Sequence, residues 1–323
     1  MSSSAVLISE VGPRDGLQSV PSIMPTDAKL RWIEALFAAG LREIEVASFV
    51  PARLLPQMAD AAEVVGRARA LSGLTVMALV PNVRGAEAAI AAGAHKMTIP
   101  VSASAAHSLA NVRKTREQML DEVRRIVDLR NERAPHVQIE AGIATAFGCT
   151  LQGAVDEDDV IRLAEAVIEA GADESGLSDT TGYANPTQVK RLFKRLHAAI
   201  GDRAGAAHMH NTRGLGLANC LAAYEAGVTS FDASQGGLGG CPYAPGASGN
   251  VVTEDLVFMF ESMGISTGID LEALIAAREW LKAGLPDAAV YGMTPEAGLT
   301  VGFRYADGRS PRMATAPLKA EAQ

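Results

Sequence analysis

One pattern of apolar and polar positions recurs along the chain. An alanine-rich amphipathic stretch ends in glycine, and a short strand-like stretch follows, at Gly40, Gly93, Gly171 and Gly227. A glycine at that point can take the left-handed conformation that closes a helix. Helix-to-strand joints repeated in this way predict a parallel sheet built from βα units. Strands are expected at 42–48, 95–100, 173–178 and 229–234, and further strand-like runs lie at Val6–Glu10, Thr75–Val80, Val137–Ala141 and Ala206–His210. Helical periodicity covers about 26–39, 54–71, 108–133, 156–170, 186–200 and 214–226, with Thr253–Met263 as the eighth helix and Leu271–Ala283 as an additional one. Eight strands in about 230 residues have the size of an α/β (β/α)8 TIM barrel. A doubly wound open sheet is the alternative, but the first strand is not followed by the Gly-x-Gly-x-x-Gly of a dinucleotide fold. The barrel domain is therefore drawn over residues 1–285 and a C-terminal extension over 286–323. From Tyr291 the extension is rich in proline, glycine and small residues; no secondary structure is expected there, and its last ten residues are expected to be disordered.

Composition narrows the class. Of 323 residues 48% are hydrophobic and 20% charged, enough apolar material for a sizeable core. A net charge of −8 argues against nucleic acid or an anionic membrane as the main partner. The cysteines Cys149, Cys220 and Cys241 are few and irregularly spaced, which fits a reducing cytoplasm better than a disulfide scaffold. No secretory leader is recognisable, and no run approaches the roughly eighteen apolar residues of a membrane span. A cytoplasmic protein is expected, and barrels of this kind commonly associate as homo-oligomers through their outer helices.

Polar residues gather where the predicted strands end. Arg14 and Asp15 follow the first strand, Glu45 lies on the second, Asp179 closes the sixth, His208 and His210 lie on the seventh, and a glycine-rich loop follows the eighth. Barrel enzymes keep their chemistry on that face. A strand points alternate side chains to one side, so His208 and His210 can reach one ion, with Asp15 as an oxygen ligand. Nitrogen and oxygen donors without thiolate suit Mg2+ or Mn2+, and accommodate Zn2+ or Co2+; a satisfied rim pair is the plainer reading of the histidines. Asn250 is either a fourth ligand or a turn or capping residue. Arg14 can hold a carboxylate or a developing enolate oxygen, or can form a salt bridge to Glu10 or Glu45. Glu45 and Asp179 can orient a histidine or carry a proton.

The segment Gln235–Asn250 holds six glycines and two prolines in sixteen residues, with Cys241 near its centre. Such a loop can approach a ligand closely, and an exposed thiol on it is a candidate acid or base. A phosphate cradle would need a Gly-x-x-x-x-Gly-Lys-Ser/Thr pattern, which is absent. Cys220, in an Ala/Leu-rich helix, is expected to be buried.

Three motifs together resemble the 3-hydroxy-3-methylglutaryl-CoA lyases, members of the metal-dependent TIM-barrel lyases that also include isopropylmalate synthase. They are Glu10-Val-Gly-Pro-Arg-Asp-Gly-Leu-Gln18, His208-x-His210-x-Thr-x-Gly-x-x-x-Ala-Asn219, and the run from Gly237 through Cys241 and Asn250 to Asp255. The resemblance extends from about residue 5 to residue 285 and implies a retro-Claisen cleavage of an acyl-CoA to acetyl-CoA and a keto acid. It implies that Asp15, His208, His210 and Asn250 bind the divalent cation, that Arg14 stabilises the enolate and that Cys241 takes part in proton transfer. Gln18 falls within the first motif. Glu45, Asp179 and Glu254 match positions supporting the site, and Glu10 is expected to fix Arg14 or the barrel floor. Departures from the family pattern are Arg213 in place of tyrosine, Asn211 in place of aspartate, Val46-Ala47 in place of a threonine pair, and a charge at Glu140. Arg213 would add a cation near the acyl group, which brings citramalyl-CoA or another 3-hydroxy-3-methyl acyl-CoA into view as substrate. A catalytically silent barrel that binds CoA esters or a partner protein is the reading from another class.

Overall fold

A computed structural model of the protein describes residues 5–239 and 249–312. Eight parallel strands close a barrel in chain order. They are β1 (Leu7–Glu10), β2 (Glu43–Ser48), β3 (Thr75–Leu79), β4 (Lys96–Ser102), β5 (Gln138–Ala144), β6 (Ser175–Ser178), β7 (Ala204–His208) and β8 (Ser230–Ala233). Residues Leu7–Glu10 of β1 pair in register with Ser230–Ala233 of β8, which completes the circle. The helices between strands are α1 (Thr26–Ala38), α2 (Ala61–Ala68), α3 (Val83–Ala92), α4 (Ala105–Val112), α5 (Arg116–Arg133), α6 (Glu157–Glu169), α7 (Pro186–Ile200) and α8 (Gly216–Tyr224). After β8 come α9 (Thr253–Ser262) and α10 (Leu271–Gly284), which packs along α1.

The joints are built as the glycines foretell: Gly40, Gly93, Gly171 and Gly227 all have positive φ. Helix starts are marked by side chains that accept from otherwise unpaired N–H groups. Asn82, Ser104, Asp156 and Asn185 serve α3, α4, α6 and α7. Some expected boundaries are corrected. The helix drawn over 108–133 is two, because Arg113 turns left-handed at φ 57° and Thr115 with Gln118 forms a capping box that starts α5 afresh. The helix drawn over 54–71 shortens to α2 after a 3-10 turn at Pro56–Met58, since proline cannot sit inside a helix.

The extension has more order than its composition suggests. A short helix, α11 (Met293–Ala297), begins where the N–H groups of Met293 and Thr294 donate to Asp255. Phe303 stacks on Phe258 at 5.4 Å, and the Leu271 N–H donates to the Tyr305 hydroxyl. The Tyr291 N–H donates to the carbonyl of Gly236, tying the extension to the root of the glycine-rich loop. The ten terminal residues lie outside the described residues. Among the described residues no helix is long and apolar enough to cross a membrane.

The interior carries charge below the rim. Lys96, at the start of β4, lies 2.8 Å from Glu140, 2.5 Å from Glu174 and 3.8 Å from Glu43. This accounts for the unexpected acid on β5. Glycines at 176 and 205 leave room for it: a Cβ at Gly176 would sit 2.9 Å from Glu140 Oε1 and 2.4 Å from the Ala206 carbonyl. Burial raises the Glu140 carboxyl to about 7 even with Lys96 beside it.

Candidate metal centre

The first motif leaves β1 through a tight π-helical turn, Gly12–Gly16, in which the N–H groups of Arg14, Asp15 and Gly16 all converge on the Val11 carbonyl. Its glycines are dictated by crowding. A Cβ at Gly12 would meet Glu10 Oε1 at 2.5 Å, and one at Gly16 would meet Leu238 at 2.9 Å. The turn sets Arg14 and Asp15 side by side, both buried, at the carboxyl ends of the strands.

His208 is the last residue of β7, and His210 lies two residues beyond the strand rather than on it. The position of His210 is fixed by the chain returning from the glycine-rich loop. His210 and Asn250 form an antiparallel bridge, the Asn211 N–H donates to the Gly249 carbonyl and the Val251 N–H to that of Met209. The same pairing brings Asn250 over the first motif, where its amide donates to Asp15 Oδ2 at 2.7 Å.

Donor atoms of Asp15, His208 and His210 all lie within 4.8 Å of one another. The two Nε2 atoms face each other at 3.1 Å, and His208 Nε2 is 4.0 Å from Asp15 Oδ2. Asn250 Oδ1 is buried without a hydrogen-bond partner among the described residues. Two imidazole nitrogens turned on each other, a carboxylate and an unpartnered amide oxygen fit a divalent cation of the hard or borderline kind.

Electrostatics agree with that donor set. Burial opposes ionisation of Asp15, but Arg14, both histidines and the Asn250 amide hold its carboxyl down at about 2. Burial, with His208 next to it, pushes His210 down to about 4, which leaves a neutral imidazole able to ligate. Burial works against protonation of His208 as well, yet the hydrogen bond and charge of Asp232 raise it.

Arg14 is clamped. Its Nε and Nη2 each lie 2.5 Å from Glu45 Oε2, and its Nη1 lies 2.5 Å from Asp15 Oδ1. Glu45 also accepts from the Thr98 hydroxyl. Gln18 donates to Asp15 Oδ1 at 2.6 Å. Of the two glutamates expected to pair with Arg14, Glu45 does so and Glu10 does not. Glu10 instead accepts from the N–H groups of Gly12 and Gln235 and from the Thr253 hydroxyl, so it joins β1, the loop root and α9. Glu254 also serves the loop root, accepting from the Gly236 N–H and from Arg278.

Asp179 directly follows β6. Its Oδ1 accepts from the Tyr183 and Ala184 N–H groups, and its Oδ2 is buried without a partner among the described residues. Burial raises its carboxyl to about 6. Arg213 donates to the carbonyls of Thr181 and Gly182 and lies over the Tyr183 ring at 4.8 Å, on the rim beside Asp179. Cys220 is buried, as expected, and Cys241 lies outside the described residues.

Sequence reasoning passed over Asp232, whose Oδ2 lies 3.0 Å from His208 Nδ1. The available signal was an acid within the short predicted strand 229–234, one strand away from the histidines.

The chain also has recognisable relatives among known proteins. Residues 5–281 match the HMGL-like family model. The hydroxymethylglutaryl-CoA lyase YngG of Bacillus subtilis is 42% identical over 283 residues, 87% of this chain and 94% of that protein. The (R)-citramalyl-CoA lyase of Chloroflexus aurantiacus is likewise 42% identical, over 89% of this chain and 94% of that one. Among solved structures, an HMG-CoA lyase from Acinetobacter baumannii in complex with coenzyme A and 3-methylmalate superposes with a TM-score of 0.88 at 41% identity, over 94% of this chain and 98% of its own. The rim chemistry, the closed barrel and these likenesses place the chain in the HMGL-like family of carbon–carbon lyases.

Proposed function

We propose that the protein cleaves 3-hydroxy-3-methylglutaryl-CoA to acetyl-CoA and acetoacetate with the help of a divalent cation. The observation that carries this reading is the convergence of Asp15, His208, His210 and Asn250, from three separate stretches of chain, at the catalytic end of the barrel. These four residues would hold Mg2+ or Mn2+. Bound there, the cation would supply Lewis-acid polarisation of the substrate's carboxylate and tertiary hydroxyl.

The chain's own groups then divide the proton and charge traffic. Asp179, with Oδ1 fixed by two N–H groups and Oδ2 unpartnered among the described residues, is assigned to take the hydroxyl proton. The oxygen lone pair becomes the new carbonyl of acetoacetate, and the electrons of the broken carbon–carbon bond pass to the acetyl-CoA enolate. Arg14, held rigid by Glu45, presents its guanidinium to that developing negative charge. The enolate carbon takes its proton from Cys241 in this scheme. The exposed Leu109, Leu151, Tyr183 and Leu215 follow β4, β5, β6 and β7 in turn, an apolar arc suited to the arm of an acyl-CoA.

Arg213 favours a second reading, cleavage of citramalyl-CoA to acetyl-CoA and pyruvate. It stands on the rim where the resembling lyases have tyrosine, and a citramalyl-CoA lyase is among the similar proteins. The test is acetyl-CoA release by the purified protein with Mg2+ from each thioester. Faster cleavage of the hydroxymethylglutaryl ester is expected; preference for citramalyl-CoA, lost in Arg213→Tyr, would establish the second reading. Inertness toward both esters and toward other 3-hydroxy-3-methyl acyl-CoAs would leave a silent barrel.

A further inference from the structure

The two histidines of the centre are not equivalent. His208 Nδ1 meets the Asp232 carboxylate at 3.0 Å, whereas His210 Nδ1 is buried with no partner among the described residues. The first contact is written into the sheet. His208 of β7 and Asp232 of β8 are register partners, and Asp232 is in turn the partner of Ser9 on β1. Register partners point their side chains to the same face, so the carboxylate is delivered to the imidazole by strand pairing and not by a flexible loop.

We propose that Asp232 is a positioning residue for the metal centre, fixing the ring of His208 with its proton on Nδ1 and its Nε2 lone pair toward the cation. The proposal rests on the metal reading above. A carboxylate in this place orients the ring, selects the tautomer and makes the ligating nitrogen more basic; loss of such a partner typically weakens metal binding about 10- to 100-fold. With no such partner among the described residues, His210 would be the weaker nitrogen ligand. Asp232 itself touches neither substrate nor cation in this scheme, so its effect is read in metal affinity before it is read in rate.

The experiment is a titration of full-length protein with Mn2+, following the free ion by electron paramagnetic resonance. Wild type is expected to bind the ion, and Asp232→Asn to keep its circular dichroism spectrum while binding about 10- to 100-fold more weakly. A second measurement does not depend on any variant of Asp232. Nitrogen-15 spectra of metal-free wild type at alkaline pH, with His208 assigned by its absence in His208→Gln, should show the Nδ1-protonated tautomer. Unchanged Mn2+ affinity in folded Asp232→Asn, or an Nε2-protonated His208, overturns the proposal. Failure of wild type to bind Mn2+ overturns the metal reading itself and this inference with it.

Discussion

Arg14 shows how much a single side chain can be asked to do. Its guanidinium faces Glu45 with two nitrogens and Asp15 with a third, a forked arrangement that a lysine ammonium cannot reproduce. Arg14→Lys is therefore expected to lower kcat about 100- to 1,000-fold, the usual scale for losing a donor to a developing oxyanion, with the fold intact by circular dichroism. A variant with wild-type kcat would remove Arg14 from the chemistry. Asp15, His208, His210 and Asn250, which the fold brings together, stood out in the sequence through spacing and through their place after predicted strands. Asp232 was not legible, because its meaning depends on which residue of β7 it faces. Of the partners expected for Glu10, Arg14 is not the one it holds, for a related reason: spacing places a carboxylate at the end of a strand without saying which way it turns, and it turned toward Gln235 and Thr253.

Between elements, Glu10 acts as a rivet whose strength depends on protonation. Burial outweighs its three hydrogen bonds and raises its carboxyl from 4.5 to about 8. The folded protein thus keeps a proton that the unfolded chain releases. The corresponding stability is complete below about pH 4.5, is lost as pH rises toward about 8, and changes no further above that. Glu254, raised by burial to about 7, acts in the same direction. Urea unfolding of Glu10→Gln across this window should show a shallower decline than wild type, with the remainder shared by other raised acids, among them Glu254, Glu140 and Asp179. An identical slope would mean that Glu10 is ionised in the folded protein. At the same scale, helices were legible where alanine and glycine punctuate them. They were misdrawn at Arg113 and Pro56, where apolar periodicity continues through a break made by the backbone.

For the molecule as a whole, the barrel is held at its interior by an ionic cluster as well as by apolar packing. Lys96 faces Glu43, Glu140 and Glu174 from β2, from β5 and from the approach to β6. Lys96→Met would leave these acids without their cation, and removing one partner of a buried pair costs about 3–5 kcal/mol. Glu174, its side chain 31% exposed, contributes less than Glu140. The loss would appear as a lower urea midpoint at neutral pH; a change under about 1 kcal/mol would show that the cluster behaves as a surface pair. The barrel itself was legible because its βα repeat is periodic. The cluster was not, because four charges scattered in sequence meet only after the sheet has curved.

Asp15 and Asn250, joined by one hydrogen bond, are 235 positions apart. A growing polypeptide therefore offers a metal ion no complete set of these four groups until Asn250 has left the ribosome. An ion held by these groups would join a barrel already largely formed. Until β8 emerges, the edge of β1 that it will cover stays open to pairing with the wrong chain. Slow translation of the second half would lengthen that interval, so aggregation in the cell should follow the pace of synthesis more closely than the supply of metal.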